Sequence, residues 1–317
     1  MKKVIPILKE RAIYVALIAL FIIFSCLSSD FLSPNNLINI ARQIAVLGIA
    51  SVGMTYVILI GGIDLSTGSI ITFVNIIAAY LMVNMGMNMW LAILIALLSS
   101  TAIGFLNGLL VANMNIPSLI VTFASQTIFE GFAYILSKGM PIFGFPKGFA
   151  TIGQGYVGFI PIPVIVMIVI FLIGGFILNK TYFGRYFYAL GGNETAAQMA
   201  GIQVKRVKYL IFSLSGLFAG IAGIIMLART NSGQPTAGKG YEFQVITAVA
   251  LGGVSLSGGS GKLSNVVAGV FIMGILKNGM VLLNISEYVQ MVVEGVILLL
   301  AVGFDCLQKR KLGYQNH

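Results

Sequence analysis

Charge is what this chain has least of. Only 9% of its 317 residues are Asp, Glu, Lys or Arg, and 58% are apolar, whereas a soluble domain carries roughly a quarter charged residues. Nine acids and nineteen bases cannot clothe a soluble body of this length, so the chain must bury its flanks in lipid. Histidine is scarcer still. His317 is alone, which excludes a histidine metal site or a Ser-His triad and takes from catalysis its commonest general base. Cys26 and Cys306 end the first and last apolar runs and are expected on opposite membrane faces, too far apart for a disulfide. The net charge of +10 does not indicate nucleic acid, because the bases sit between apolar runs rather than on one hydrophilic face.

What is present is a succession of long apolar runs, near 12–28, 40–60, 67–84, 90–112, 118–137, 162–179, 209–228, 242–257, 264–283 and 288–305. A helix needs about 20 such residues to cross a ~30 Å hydrocarbon core. These runs predict an all-α, polytopic bundle of about ten transmembrane helices. The runs at 67–84 and 242–257 are short and flanked by glycine, so they are broken, re-entrant or straight, and the count is eight to ten. Lys2, Lys3, Lys9 and Arg11 before the first run imitate a signal peptide, but no A-x-A site follows, and a retained first helix is expected. Thirteen bases fall on one face, at the N-terminus, in the loop 180–208, at Lys262 and in the tail Lys309, Arg310 and Lys311. Four fall on the other: Lys138, Lys147, Arg229 and Lys239. The positive-inside rule then puts both termini in the cytoplasm.

Ile60 to Ser69 (IGGIDLSTGS) and Leu251 to Ser260 (LGGVSLSGGS) agree at six of ten positions. Each ends one run and opens another, as duplicated transporter halves do, and the echo is read as an internal repeat. Asp64 aligns with Ser255, so only the first copy carries a charge, which makes Asp64 a functional candidate. The segment SLSGGSGKL at 255–263 imitates a phosphate loop but has Leu256 where that loop needs its first glycine and Leu263 where it needs a hydroxyl. The chain is therefore expected to bind no nucleotide, no cofactor and no metal. Gly104-x-x-x-Gly108 and Gly216-x-x-x-Gly220 read as helix-packing devices.

Between Tyr188 and Val204 the composition turns small and polar: Asn193 and Glu194 start a short helix, and Lys205, Arg206 and Lys208 precede the next run. Thr195-Ala196-Ala197-x-x-x-Gly201 approximates the EAA-x-x-x-G motif of ABC importer permeases. With GGIDLSTGS at 61–69, ALGGNETAAQMAGIQVKRVK at 189–208 and AVALGGVSLSGGSGK at 248–262, the chain resembles the permeases of ribose-type monosaccharide ABC importers, the bacterial binding-protein-dependent transport inner-membrane components, over nearly its full length. It departs from the broad EAA pattern in having Thr195 where that pattern has glutamate, with Glu194 one position early.

The resemblance implies one permease domain over 1–317 in the bacterial inner membrane, with 180–208 as its cytoplasmic ATPase-docking loop carried by Asn193, Glu194, Thr195, Ala196, Ala197, Gly201, Lys205 and Arg206. It further implies a separate ATPase subunit with two nucleotide-binding domains that holds ATP and magnesium, an extracytoplasmic sugar-binding protein, and a second copy of the permease. A stand-alone secondary transporter of sugar or another small solute is the alternative, since ion-coupled carriers also combine repeats with intramembrane charge.

Ionisable groups within the runs cost about 2.5–3.5 kcal/mol each at the membrane centre on insertion scales, so they are expected inside the bundle. They are Arg42, Asp64, Glu130, Lys277 and Glu294. Lys277 and Glu294 lie equidistant from a bend between Ile285 and Ser286, and are predicted to form a structural ion pair. Asn75, Asn107, Gln126 and Asn278 carry amides suited either to sugar hydroxyls or to tying helices together in lipid. Asp64, Asn75, Asn107 and Gln126 are the candidates for the translocation pathway, which should bind its cargo weakly.

Overall fold

The computed structural model describes the backbone of residues 4–313 and the side chains of residues 13–307. The terminal bases that weigh most in the orientation, at Lys2, Lys3, Lys9 and Arg11 and at Lys309, Arg310 and Lys311, lie outside the described side chains. The elements are α1 (Val4–Leu27), α2 (Pro34–Leu59), α3 (Ser66–Val83), α4 (Met89–Asn113), α5 (Ser118–Ser137), α6 (Phe149–Gln154), the hairpin β1 (Tyr156–Val157) and β2 (Ile160–Pro161), α7 (Ile162–Lys180), α8 (Tyr182–Gly192), α9 (Glu194–Met199), α10 (Val204–Thr230), α11 (Tyr241–Leu251), α12 (Leu263–Leu282) and α13 (Glu287–Gly313).

Helix limits follow from local chemistry. Ser33 Oγ accepts the Asn36 N–H with Pro34 at the first helical position of α2, and Asn88 Oδ1 accepts the Trp90 N–H at the start of α4. Left-handed residues follow α5 at Lys138 and α10 at Asn231. Eight helices among the described residues are long and apolar enough to cross a membrane: α2, α3, α4, α5, α7, α10, α12 and α13. Ile13–Leu27 of α1 is a shorter apolar stretch.

The bundle has two ends, distinguished by the β1–β2 hairpin at one and α9 at the other. At the hairpin end, Arg42 of α2 donates to the Gln154 carbonyl, and Gln154 Nε2 donates to the Arg229 carbonyl of α10 at 2.9 Å. Near the other end Lys208 of α10 meets Glu194 of α9, and the Leu59 carbonyl of α2 accepts from Gly259 N. α2 and α10 are therefore antiparallel and run from end to end. With α3 they form the buried centre, whereas α13 and the outer faces of α4, α5 and α7 present exposed leucine, isoleucine and phenylalanine side chains to the surroundings. That inverted distribution suits a solvent of hydrocarbon.

The two small-residue motifs meet each other. A Cβ on Gly104 would lie 2.1 Å from the Phe212 carbonyl oxygen, and one on Gly216 would lie 2.3 Å from the Ser100 carbonyl oxygen. The absence of side chains is what lets α4 and α10 touch backbone to backbone.

The apolar run at 242–257 is not one span. Gly252-Gly253, the latter at φ +76, stops α11 after eleven residues, about 16 Å of helix against a ~30 Å core. α11 is reached by a re-entrant segment, 231–240, that descends beside α3. Gly233 faces Ala79, the Gln234 N–H is accepted by Asn75 Oδ1 at 2.9 Å, and the Gly238 N–H by Thr72 Oγ1 at 2.9 Å. Irregular backbone at this depth is tolerated because protein groups accept its hydrogen bonds. α3, the counterpart run, starts inside the bundle at the level of Ser215, the twelfth residue of α10.

Candidate functional site

α3 carries a ladder of polar contacts along its length. At its first turn Asp64, with no exposed surface, accepts from the Ser66 N–H at 3.0 Å and from the Ser66 hydroxyl through Oδ1, and from Ser215 Oγ at 2.7 Å through Oδ2. Asn107 Nδ2 of α4 donates to Ser66 Oγ at 3.0 Å. One turn on, Gly68 packs against the Glu242 carboxylate at the start of α11, and Glu242 Oε1 accepts from Gln126 Nε2 of α5 at 3.0 Å. Thr72 and Asn75 then hold the re-entrant segment.

Asp64 and Asn107 thus share one network, Gln126 belongs to a second and Asn75 to a third, all strung along α3. Sequence reasoning passed over Ser66, Thr72, Ser215 and Glu242. Glu242 had a legible signal, an acid just after Gly238-x-Gly240 at the mouth of an apolar run. Ser215 had none, since hydroxyls are common in membrane helices.

The two buried carboxylates share a physical setting. α3 and α11 both start in the interior and run in opposite directions, and each has a carboxylate at its N-terminus. There the positive end of the helix dipole faces each carboxylate; Asp64 accepts the Ser66 N–H of α3, while Glu242 accepts from Gln126 and its Oε2 is buried without a hydrogen-bond partner among the described residues.

Elsewhere the polar side chains tie helices. Asn36 and Asn278 exchange reciprocal amide hydrogen bonds of 3.0 and 2.8 Å between α2 and α12. Lys277 Nζ lies 3.8 Å from Glu294 Oε1, and Glu294 Oε2 accepts from Gln244 Nε2 at 3.2 Å, so α11, α12 and α13 converge on one partly buried cluster. Arg42 stacks over Tyr156, 4.8 Å from the ring centre, at the hairpin end. Glu130 is half-buried, one turn along α5 from Gln126.

The segment between Lys180 and Lys208 holds two helices, α8 and the short α9 expected from Asn193 and Glu194. Asn193 breaks them: its backbone is extended at φ −163, and its Oδ1 accepts the Ala196 N–H at 2.9 Å, which starts α9. Gly201, at φ +84, ends the turn that follows α9. Ala197 is the buried residue of α9, while Thr195, Ala196, Lys205 and Arg206 are exposed and Met199 is 84% exposed. Glu194, half-exposed, accepts from Lys208 Nζ of the same chain at 2.7 Å. Beneath this pair lies a cavity of about 320 Å³ lined by Gly61, Gly62, Asn115, Ser118, Glu194 and Lys208.

The glycine breaks at 60–65 and 252–262 lie side by side at the α9 end: Gly259 N donates to the Leu59 carbonyl at 2.8 Å, and Gly61 faces Ser257. α2 and α11 run into them and α3 and α12 run out, so the two breaks have the same sense. Their aligned residues part company, because Asp64 caps α3 whereas Ser255 Oγ donates to Asp305 Oδ2 of α13 at 3.2 Å.

A family described as branched-chain amino acid transport system / permease component matches residues 36–302. Among curated relatives, the ribose import permease protein RbsC of Bacillus subtilis is 43% identical over 301 residues, covering 94% of this chain and 93% of the relative. RbsC of Haemophilus influenzae is 42% identical over 300 residues, 93% of each chain. The L-arabinose transport system permease protein AraH of Escherichia coli is 40% identical over 296 residues, 93% of this chain and 90% of the relative. No solved structure matches the chain.

Proposed function

From the premise that the chain belongs to the branched-chain amino acid transport system / permease component family and is the membrane permease subunit of a sugar ABC importer, we propose that it carries a monosaccharide, ribose or a similar pentose or hexose. A binding protein delivers the cargo from outside, and two copies of this chain enclose the pathway. As an importer permease of the inner membrane it is a transport subunit rather than an enzyme. The hydrolysis of ATP, with its magnesium, belongs to a partner ATPase carrying two nucleotide-binding domains.

The observation that carries the reading of the α9 end is α9 itself, a short, separately capped helix that stands proud of the bundle with Met199 exposed. Its outward face is made of Thr195, Ala196 and Met199, two small residues and one large apolar side chain, a shape that suits a groove on a partner. We assign this end to the cytoplasm, with both termini there, because Lys180, Arg185, Lys205, Arg206 and Lys208 cluster on it. The ATPase docks on Thr195, Ala196, Met199 and Gly201, with Lys205 and Arg206 at the rim. Glu194 works within the chain through Lys208 rather than as the acidic contact of the broad motif, and Asn193 and Ala197 hold α9 in shape.

A neutral, hydroxyl-rich cargo fits the interior. Both half-helix N-termini are already occupied by Asp64 and Glu242, which leaves no unclaimed dipole for an anionic cargo. Charge reversal at Lys205 and Arg206, or a bulky residue at Gly201, should abolish coupled uptake and weaken co-purification of the ATPase while membrane insertion stays normal. Unchanged uptake in all three variants would remove α9 as the docking element.

A further inference from the structure

Resting on the reading of α9 as the ATPase-docking helix, we propose that Gly191, at the end of α8, is the positioning residue that joins α9 to both glycine breaks, so that a displacement of α9 moves the two together. The argument starts from a backbone contact. A Cβ on Gly191 would lie 1.9 Å from the Leu59 carbonyl oxygen and 2.3 Å from Gly259 N. These are the acceptor and donor of the 2.8 Å hydrogen bond that joins the first break to the second. Gly191 therefore rests directly on the bond between the breaks, two residues before the Asn193 cap of α9.

Further glycines line the junction. A Cβ on Gly258 would meet Gly61 N at 2.7 Å and Gly191 Cα at 3.0 Å, and one on Gly259 would meet Gly192 N at 2.9 Å. One turn earlier on α8, Tyr188 OH donates to the Gly261 carbonyl at 2.9 Å, fastening the same helix to the second break. Contacts this close leave no slack, because a packed backbone junction transmits a displacement rather than absorbing it.

Each break leads into a different part of the interior. From Gly61 the chain passes to Asp64 and α3. From the second break it passes back to α11 and on to α12, which are themselves locked: a Cβ on Gly269 would lie 2.0 Å from the Ala248 carbonyl oxygen. A push on α9 thus reaches the Asp64 cap through one branch and the α11–α12 pair through the other. This gives the echoed motif a mechanical reason, since two glycine turns are needed for two backbones to meet at α8. Glu194 and Lys208 add a second tie, from α9 to α10, whose Ser215 holds Asp64.

The test uses the full importer reconstituted in proteoliposomes with its ATPase and sugar-binding protein, comparing neighbouring glycines. Gly192 has nothing within 4 Å of its Cβ position. Gly192→Ala should match wild type, whereas Gly191→Ala should retain the bound ATPase and its hydrolysis but import at least tenfold less sugar per ATP. Gly253 and Gly258 both have positive φ, and only Gly258 touches the junction, so Gly258→Ala should lose coupling well beyond Gly253→Ala. Equal sugar per ATP within each pair overturns the proposal.

If Gly191→Ala does not assemble, hydrogen exchange on the wild-type importer decides. Nucleotide trapping should change the protection of α9, 59–61 and 258–261 together. A change confined to α9 overturns the joint while leaving the docking reading intact. No change in α9 on binding the ATPase overturns both.

Discussion

Replacing Asp64 separates a buried cap from a working charge. The carboxylate receives the Ser66 N–H, the Ser66 hydroxyl and the Ser215 hydroxyl. In Asp64→Ala all three donors lose their acceptor, and a stranded buried donor costs about 1–3 kcal/mol. The hydroxyls can turn to other acceptors but the N–H cannot, and the capping of α3 is lost with it, so the expected cost is about 2–4 kcal/mol. Asp64→Asn keeps an acceptor for Ser66 and presents an amide to Ser215 Oγ, which can accept instead of donating. It should cost about 1 kcal/mol, the value of a typical hydrogen bond, and keep most of the uptake. The assay is thermal stability in detergent by size-exclusion chromatography, read beside sugar uptake in reconstituted importer. Asp64→Asn as damaging to transport as Asp64→Ala, with its stability near wild type, would refute the capping argument and make the charge itself essential.

Lys277→Met leaves the Glu294 carboxylate with Gln244 as its neutral partner. The pair is long at 3.8 Å and partly exposed, so the loss should be about 1–2 kcal/mol, below the range for a fully buried pair. Lys277→Met combined with Glu294→Gln should recover most of it in a double-mutant cycle. Gly104→Leu, forced onto the Phe212 carbonyl across the α4–α10 contact, should cost at least about 3 kcal/mol and prevent accumulation of the folded chain, whereas Gly131→Ala, with open space at its Cβ, should stay within about 0.5 kcal/mol of wild type on the same melting assay. Met199→Glu should lower the fraction of ATPase retained on the purified permease by tenfold or more and leave the melting temperature of the permease alone unchanged.

Most helices could be read from hydropathy because lipid imposes one requirement on every span, and the runs at 90–112, 118–137 and 264–283 fall within a residue or so of α4, α5 and α12. The convergence of Lys277 and Glu294 could be read from spacing about the bend near Ile285, since two antiparallel helices place equidistant residues at equal depth. The half-length of α11 was legible only as one alternative, since its glycine flanks left 242–257 broken, re-entrant or straight. Its apolar letters continue through Leu251 to Leu256, and what stops it is backbone conformation at Gly252-Gly253. The re-entrant segment 231–240 escaped for a related reason: its hydrogen bonds go to Thr72 and Asn75, more than a hundred residues away, and no local pattern records that. In the sequence the amide residues are dual in meaning, and only three-dimensional placement sorts them, with Asn278 in a reciprocal pair to Asn36 and Gln126 on a buried glutamate.

The two glycine motifs were legible as an echo but not as neighbours. Similar sequence reports similar backbone, here a left-handed glycine turn, and says nothing of which turns touch. That they share one hydrogen bond beneath α8 is what gives α9 a route to the interior.

The most direct test of the account is uptake of radiolabelled ribose into proteoliposomes holding this permease alone, or with its ATPase, ATP and sugar-loaded binding protein. The account predicts no uptake by the permease alone, even under an imposed proton or sodium gradient, and accumulation against the sugar gradient once all components are present. Uptake by the isolated permease driven by an ion gradient would contradict it.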